Sequence, residues 1–143
     1  MRAVADAIAA IEIVTLRALL PRWFARQPLD TLLVRLSAPR VPGAAVELDR
    51  LARVVVRTEG LLERATELPS TCLYRALSRY AVLRSAGYSP RFFMGLPRSG
   101  LGQPGHAWIE VEGAAFAEHE DVSRFQVTFR YPPLRNGGTV DVG

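Results

Sequence analysis

The hydrophobic pattern of this chain changes period near Gly87, and that change limits the folds open to it. Ahead of Gly87 apolar residues recur at helical spacing; after it they alternate as in strands. Residues 3–20 read as a helix, with Ile8, Ile11, Thr15 and Leu19 at helical spacing and Val4 and Ala7 ahead of them. Pro21 stops or bends it. The segment Arg22-Trp23-Phe24-Ala25-Arg26-Gln27-Pro28 is either a packed linker or a patch that docks a partner. Residues 29–37 make a short helix, and Pro39 to Ala45 a loop around Pro42-Gly43. A second long helix runs from about Ala45 to Glu67, with Leu48, Leu51, Val55 and Leu62 on one side, and Pro69 ends it.

Ser70 or Thr71 can cap the next helix, whose apolar stripe is Leu73, Leu77, Tyr80 and Leu83 and whose C-terminal residue is Gly87. Strands follow at Arg91–Leu96, His106–Val111, Ala114–Glu118 and Val122–Tyr131, with a Pro- and Gly-rich loop over residues 97–105. From Pro132 the chain is a polar tail expected to fray. Helices followed by a small antiparallel sheet define an α+β fold. At 143 residues and 49% hydrophobic content, the chain has material for one domain and one core.

The cysteine count narrows the chemistry. Cys72 is the single cysteine, so an internal disulfide and a multi-cysteine metal site are both excluded. That fits a reducing compartment. The apolar N-terminus is broken by Asp6, Glu12 and Arg17, which fits neither a membrane span nor a signal peptide. A cytoplasmic location is therefore expected. All 18 basic residues are Arg, giving a formal charge of +4. They do not alternate with aromatics as in nucleic-acid binders. The basic excess reads as a solvated surface or as a site for an acidic peptide or protein.

Three residues make a hydrolase constellation. Cys72 falls in the first turn of its helix, where unbonded N–H groups and the helix dipole favour a thiolate. The Cys72 N–H can also serve a tetrahedral oxyanion. His106 opens a strand on which Ala107, Ile109 and Val111 form the core face, and His106, Trp108 and Glu110 the other, expected to meet the cysteine-bearing helix. Glu118, twelve residues on, orients the ring if the intervening hairpin has a three-residue loop, Val111 to Gly113. That register sets Glu118 opposite His106. A two-residue loop sets it opposite Ala107, on the core face. Glu120 and Asp121 are fallback acids. Zinc held by Cys72, His106 and His119 is a rival, but the spacing matches no compact zinc motif.

The runs Cys72-Leu73-Tyr74-Arg75-Ala76-Leu77, Leu83-Arg84-Ser85-Ala86-Gly87-Tyr88 and Gly105-His106-Ala107-Trp108-Ile109-Glu110-Val111-Glu112-Gly113 resemble the transglutaminase-like cysteine proteases of lasso peptide biosynthesis. These are leader peptidases, the protease half of the "B" protein. The resemblance covers about residues 68–131 and extends loosely to the N-terminal helices. It implies a transglutaminase/papain-like core over 68–131, a helical part over 1–67 and a tail over 132–143. It also implies Cys72 as nucleophile, His106 as base and Glu118 as orienting acid, where the family more often has Asp. No cofactor is implied. The implied partners are a ribosomally made precursor peptide as substrate, a separate leader-recognition protein, since no such domain fits ahead of residue 68, and an ATP-dependent macrolactam cyclase. No Gln precedes Cys72 as an oxyanion donor; Gln103 is a candidate. Two other readings stay open: another thiol-dependent acyl transferase or amidase on the same scaffold, and a non-catalytic module that holds a peptide in a basic groove.

Overall fold

The first 26 residues carry more helix than their proline allows for at first sight. In the computed structural model, which describes residues 2–38, 46–68, 70–100 and 102–133, helix α1 runs from Arg2 to Arg26 straight through Pro21. Pro21 removes one N–H from the ladder. Burial of Leu20 ahead of it and partial burial of Trp23 after it keep the helix going. The segment from Arg22 is thus the last turn of α1 and not a linker. Arg35 lies over the Trp23 ring at 4.2 Å, and Phe24 stands edge-on to Tyr74 at 6.2 Å.

The expected stripe on α1 is reversed. Ala9, Ile13, Leu16 and Leu20 are buried, whereas Ile8 is 38% and Ile11 64% exposed. The helix is apolar almost all round, so spacing alone does not single out a face.

Helix α2 spans Leu29–Ser37, α3 Leu48–Ala65 and α4 Cys72–Ser85. The expected loop over 39–45, Pro69 and the tail beyond Pro133 lie outside the described residues. Leu51, Val55 and Leu62 of α3 are buried as their spacing predicts, and so are Leu77, Tyr80 and Leu83 of α4. Each such side chain contributes about 1.5–3 kcal/mol by leaving water. Helix α4 ends in a Schellman motif: Tyr88 N–H donates to Leu83 O and Gly87 N–H to Arg84 O, with Gly87 at φ 93°. One buried ion pair, Arg79 to Glu59 at 2.7 and 3.0 Å, ties α4 to α3.

Strands β1 (Arg91–Pro97), β2 (His106–Val111), β3 (Ala114–Ala115) and β4 (Phe125–Tyr131) form an antiparallel sheet in the order β3-β2-β1-β4. The third strand is shorter than expected, and Val122–Arg124 is a turn of 3₁₀ helix instead of strand. Phe92, Ala107, Ile109, Val111 and Phe116 join all four helices in one core, so the helices cover one face of the sheet. The other face carries a smaller cluster of Phe93, Trp108 and Phe125. The fold is α+β, as the sequence order of its elements requires.

Candidate active site

Cys72 is the first residue of α4, and its helix start is well built. The Thr71 hydroxyl accepts from Tyr74 N–H at 3.2 Å, the N-cap contact expected of Ser70 or Thr71. The Thr71 carbonyl accepts from Arg75 N–H at 3.0 Å. In a planar trans peptide the carbonyl and the following N–H point in opposite directions. The Thr71 carbonyl points into the helix, so the Cys72 N–H points out beyond its end. It is one of the donors a helix start leaves over, and it has no acceptor among the described residues. The thiol itself is half-buried and in no disulfide.

His106 opens β2, and Glu118 reaches it. Nε2 of His106 lies 3.0 Å from Glu118 Oε1, with the side chains only 11% and 7% exposed. The same oxygen accepts from Glu120 N–H at 3.1 Å. With Nε2 on the carboxylate, Nδ1 is the ring nitrogen left to take a proton. The ring is stacked on Phe125 at 5.1 Å and on Trp108 at 6.0 Å. Trp108 in turn stacks on Phe93 at 5.6 Å and donates its indole N–H to Glu110 at 3.0 Å. Aromatic side chains from β1, β2 and β4 thus hold the imidazole plane. Gly95 lies opposite His106 in β1, beside a bulge in the β1–β4 pairing. A Cβ there would sit 2.7 Å from Gln126 O and 3.0 Å from Phe125 Cβ, so the glycine lets Phe125 close on the ring.

The route by which Glu118 arrives differs from the expected one. Val111 pairs with Ala114 and Glu110 with Ala115, which makes a two-residue loop of Glu112 and Gly113. Both have positive φ, 53° and 81°, the sign pattern of a type I′ hairpin turn. The three-residue loop is therefore overturned. Phe116 N–H still donates to Ile109 O at 2.8 Å, and Phe116 enters the core. Strict alternation from there would send Glu118 to the core face. Ala117 prevents this by adopting φ 51°. That left-handed residue, two positions past the end of β3, turns Glu118 back to His106.

A second expectation also fails. The main core joins α4 to the Ala107–Ile109–Val111 face of β2, whereas the His106–Trp108 face carries the aromatic cluster. Strand alternation does not by itself present the ring to the cysteine-bearing helix. No hydrogen bond links Cys72 to His106 among the described residues.

The fallback acids have other work. Glu120 is exposed and paired with Arg124 at 3.6 Å; Asp121 caps the 3₁₀ turn, accepting from Ser123 N–H and Oγ. The Ser123 bonds hold the Asp121 carboxyl below its ordinary value. His119 and Gln103 are exposed. No group of three His, Cys, Asp or Glu among the described residues has the arrangement to hold a metal ion. No helix among them is long and apolar enough to cross a membrane. The Phe125 wall and the Trp108–Glu110 bond escaped the sequence reading. Trp108 was visible as a neighbour of His106, but nothing local aligned Phe125 with it.

Cys72 thus stands at a helix start, and His106, the first residue of β2, is hydrogen-bonded to Glu118, three residues past the end of β3. The chain belongs to the transglutaminase-like superfamily, whose family profile matches residues 9–130. That superfamily includes cysteine proteases, and its fold commonly serves cysteine peptidases and transferases. The match runs through the N-terminal helices as well as the sheet. No curated protein and no solved structure matches the chain significantly.

Proposed function

We propose that this protein is a cysteine peptidase that removes the leader from a ribosomally made lasso peptide precursor. The observation that carries the chemistry is the part-buried His106–Glu118 hydrogen bond, which leaves Nδ1 as the ring nitrogen to take a proton in a chain whose one thiol stands at a helix start. The resemblance of the Cys72 and His106 runs to the leader peptidases carries the substrate.

In this reading His106 Nδ1 takes the Cys72 proton as Sγ attacks the carbonyl carbon of the scissile bond. The Cys72 N–H receives the oxyanion. The proton passes to the departing amine as the C–N bond breaks, leaving the leader as an acyl-enzyme. Water, deprotonated by His106, releases the leader acid and restores the thiol. Glu118 fixes the ring and stabilises its charged form. The step requires Sγ and Nδ1 to meet, and catalytic hydrogen bonds of this kind often tighten only with substrate bound. We further propose that a separate leader-recognition protein delivers the precursor and that an ATP-dependent cyclase closes the ring afterwards.

The test is Cys72→Ala, assayed on precursor peptide with and without the recognition protein. Leader removal should vanish while the circular dichroism spectrum and melting curve are kept. Residual cleavage by the alanine variant would end the proposal. Wild-type transfer of the leader to an added amine, in preference to water, would favour an acyl transferase instead.

A further inference from the structure

The segment that leads into Cys72 is fastened from both neighbouring helices. Ser70, two residues ahead of the thiol, gives its hydroxyl to Glu63 Oε1 of α3 at 2.6 Å. Its carbonyl accepts from Arg75 Nη1 of α4 at 2.6 Å, and the same nitrogen lies 3.3 Å from its hydroxyl oxygen. Arg75 and Glu63 are themselves 3.7 Å apart. The backbone N–H of Arg75 takes the Thr71 carbonyl. One residue therefore holds both carbonyls that precede Cys72, one through its main chain and one through its guanidinium.

This geometry has a consequence for the nucleophile. The Ser70–Thr71 and Thr71–Cys72 peptide planes set where the Cys72 N–H and the Cα–Cβ bond point. A helix start frays unless its first residues are held. The Thr71 cap secures the first turn, but it acts on Tyr74 N–H and leaves the chain ahead of it loose. The Arg75–Ser70 bond closes that gap.

We propose that Arg75 is a positioning residue for the Cys72 thiol: through Ser70, and with Glu63 as its anchor on α3, it fixes the backbone that aims the nucleophile and its oxyanion N–H. The role is geometric more than electrostatic, because Glu63 offsets the guanidinium charge. The Ser70 hydroxyl bonded to Glu63 holds that carboxyl below its ordinary value, and the Arg75 charge adds to this, so the anchor stays ionised near neutral pH. The other charge acting on Glu63 from a packed helix is that of Arg17 on α1. The inference rests on the reading of Cys72 as nucleophile.

The experiment compares wild type, Arg75→Met and Arg75→Lys in two measurements. One is the rate of Cys72 alkylation by iodoacetamide at a fixed pH, set beside that of a model thiol, which needs no peptide substrate. The other is kcat and KM on precursor peptide. Misplacing a reacting group by about 1 Å can cost roughly 100-fold in rate. Arg75→Met should lower kcat at least about tenfold with KM within about twofold, and slow alkylation of Cys72 towards the rate of a model thiol. Arg75→Lys keeps the charge but has lost the planar fork, so it should fall between the two.

Wild-type alkylation no faster than that of a model thiol would count against Cys72 as nucleophile. Fast wild-type alkylation that Arg75→Met leaves in place, with kcat unchanged, would overturn the role of Arg75 alone. So would a drop in melting temperature as the only effect. Should Arg75→Met not fold, Arg75→Lys decides: wild-type kcat and alkylation rate in that variant also overturn the proposal.

Discussion

Cys72 and Glu118 each stand just after a change of chain direction, and the two changes are made by opposite means. The one before Cys72 is built from side-chain contacts that the local sequence announces: a Thr cap on a helix whose apolar stripe begins at once. The one before Glu118 is built from backbone conformations that the sequence conceals. Glu112 and Ala117, neither of them glycine, both hold positive φ. The first arrangement lowers the free energy of its own helix. The second is held against local preference by what surrounds it, Phe116 in the core on one side and the His106–Glu118 bond on the other. Strain that persists because its surroundings over-determine it is commonly found at functional sites.

The largest effect should come from the residue the two regions serve in common. On the proposed mechanism His106→Ala removes the base and the partner of Glu118 together, and general-base help alone is worth about 10²–10⁴-fold. The expected result is loss of kcat/KM on that scale with the fold retained. Glu118→Gln keeps the shape of the contact but not its charge, so its loss should be smaller, on the order of 10–100-fold by comparison with the base itself. A Glu118→Gln enzyme at full rate would show that the hydrogen bond is structural and that the comparison of the two turns has no bearing on catalysis.

How much of this was legible in the sequence follows the same division. The start of α4, its Gly87 terminus and the limits of β2 were all readable, because each depends on contacts within about one turn of helix or one strand. The inner face of α1 was not readable, since Val4, Ile8 and Ile11 outside match Ile13, Leu16 and Leu20 inside in hydrophobicity. The His106–Glu118 contact was expected from the hairpin, but the path to it was not. A three-residue loop is the simpler way to keep Glu118 out of the core. The protein reaches the same pairing with a two-residue loop and one left-handed alanine, for which no residue type gives notice. The Arg75–Ser70–Glu63 and Arg79–Glu59 contacts were also hidden, because they join helices whose mutual placement only the fold supplies.

Ala117 is where the second turn can be broken. A β-branched residue at positive φ is a genuine outlier, so Ala117→Val should push the chain back towards strand geometry. Glu118 would then be directed at the core face and drawn from His106. Left-handed backbone costs about 1–2 kcal/mol for an L-residue, and valine adds to that. We expect a stability loss of at least about 1 kcal/mol in urea and an activity close to that of Glu118→Gln. Ala117→Val with normal stability and normal rate would mean that the hairpin aims Glu118 without help from a left-handed residue.

The smallest effect separates the two left-handed residues from each other. Glu112 and Ala117 have almost the same φ, 53° and 51°, but only Ala117 adjoins the acid. Glu112 sits in the exposed turn, where type I′ geometry favours Asn followed by Gly. Asn tolerates the left-handed region better than Glu does, so Glu112→Asn should stabilise the hairpin by about 0.4–1 kcal/mol. It should leave kcat/KM unchanged, because the register it favours is the one already present. A rise in melting temperature at constant activity would place the strain at Glu112 in the turn alone and leave Ala117 as the residue whose backbone serves the site. A loss of activity in Glu112→Asn would show instead that the whole hairpin, from Glu112 through Ala117, acts as one unit in aiming Glu118 at the imidazole.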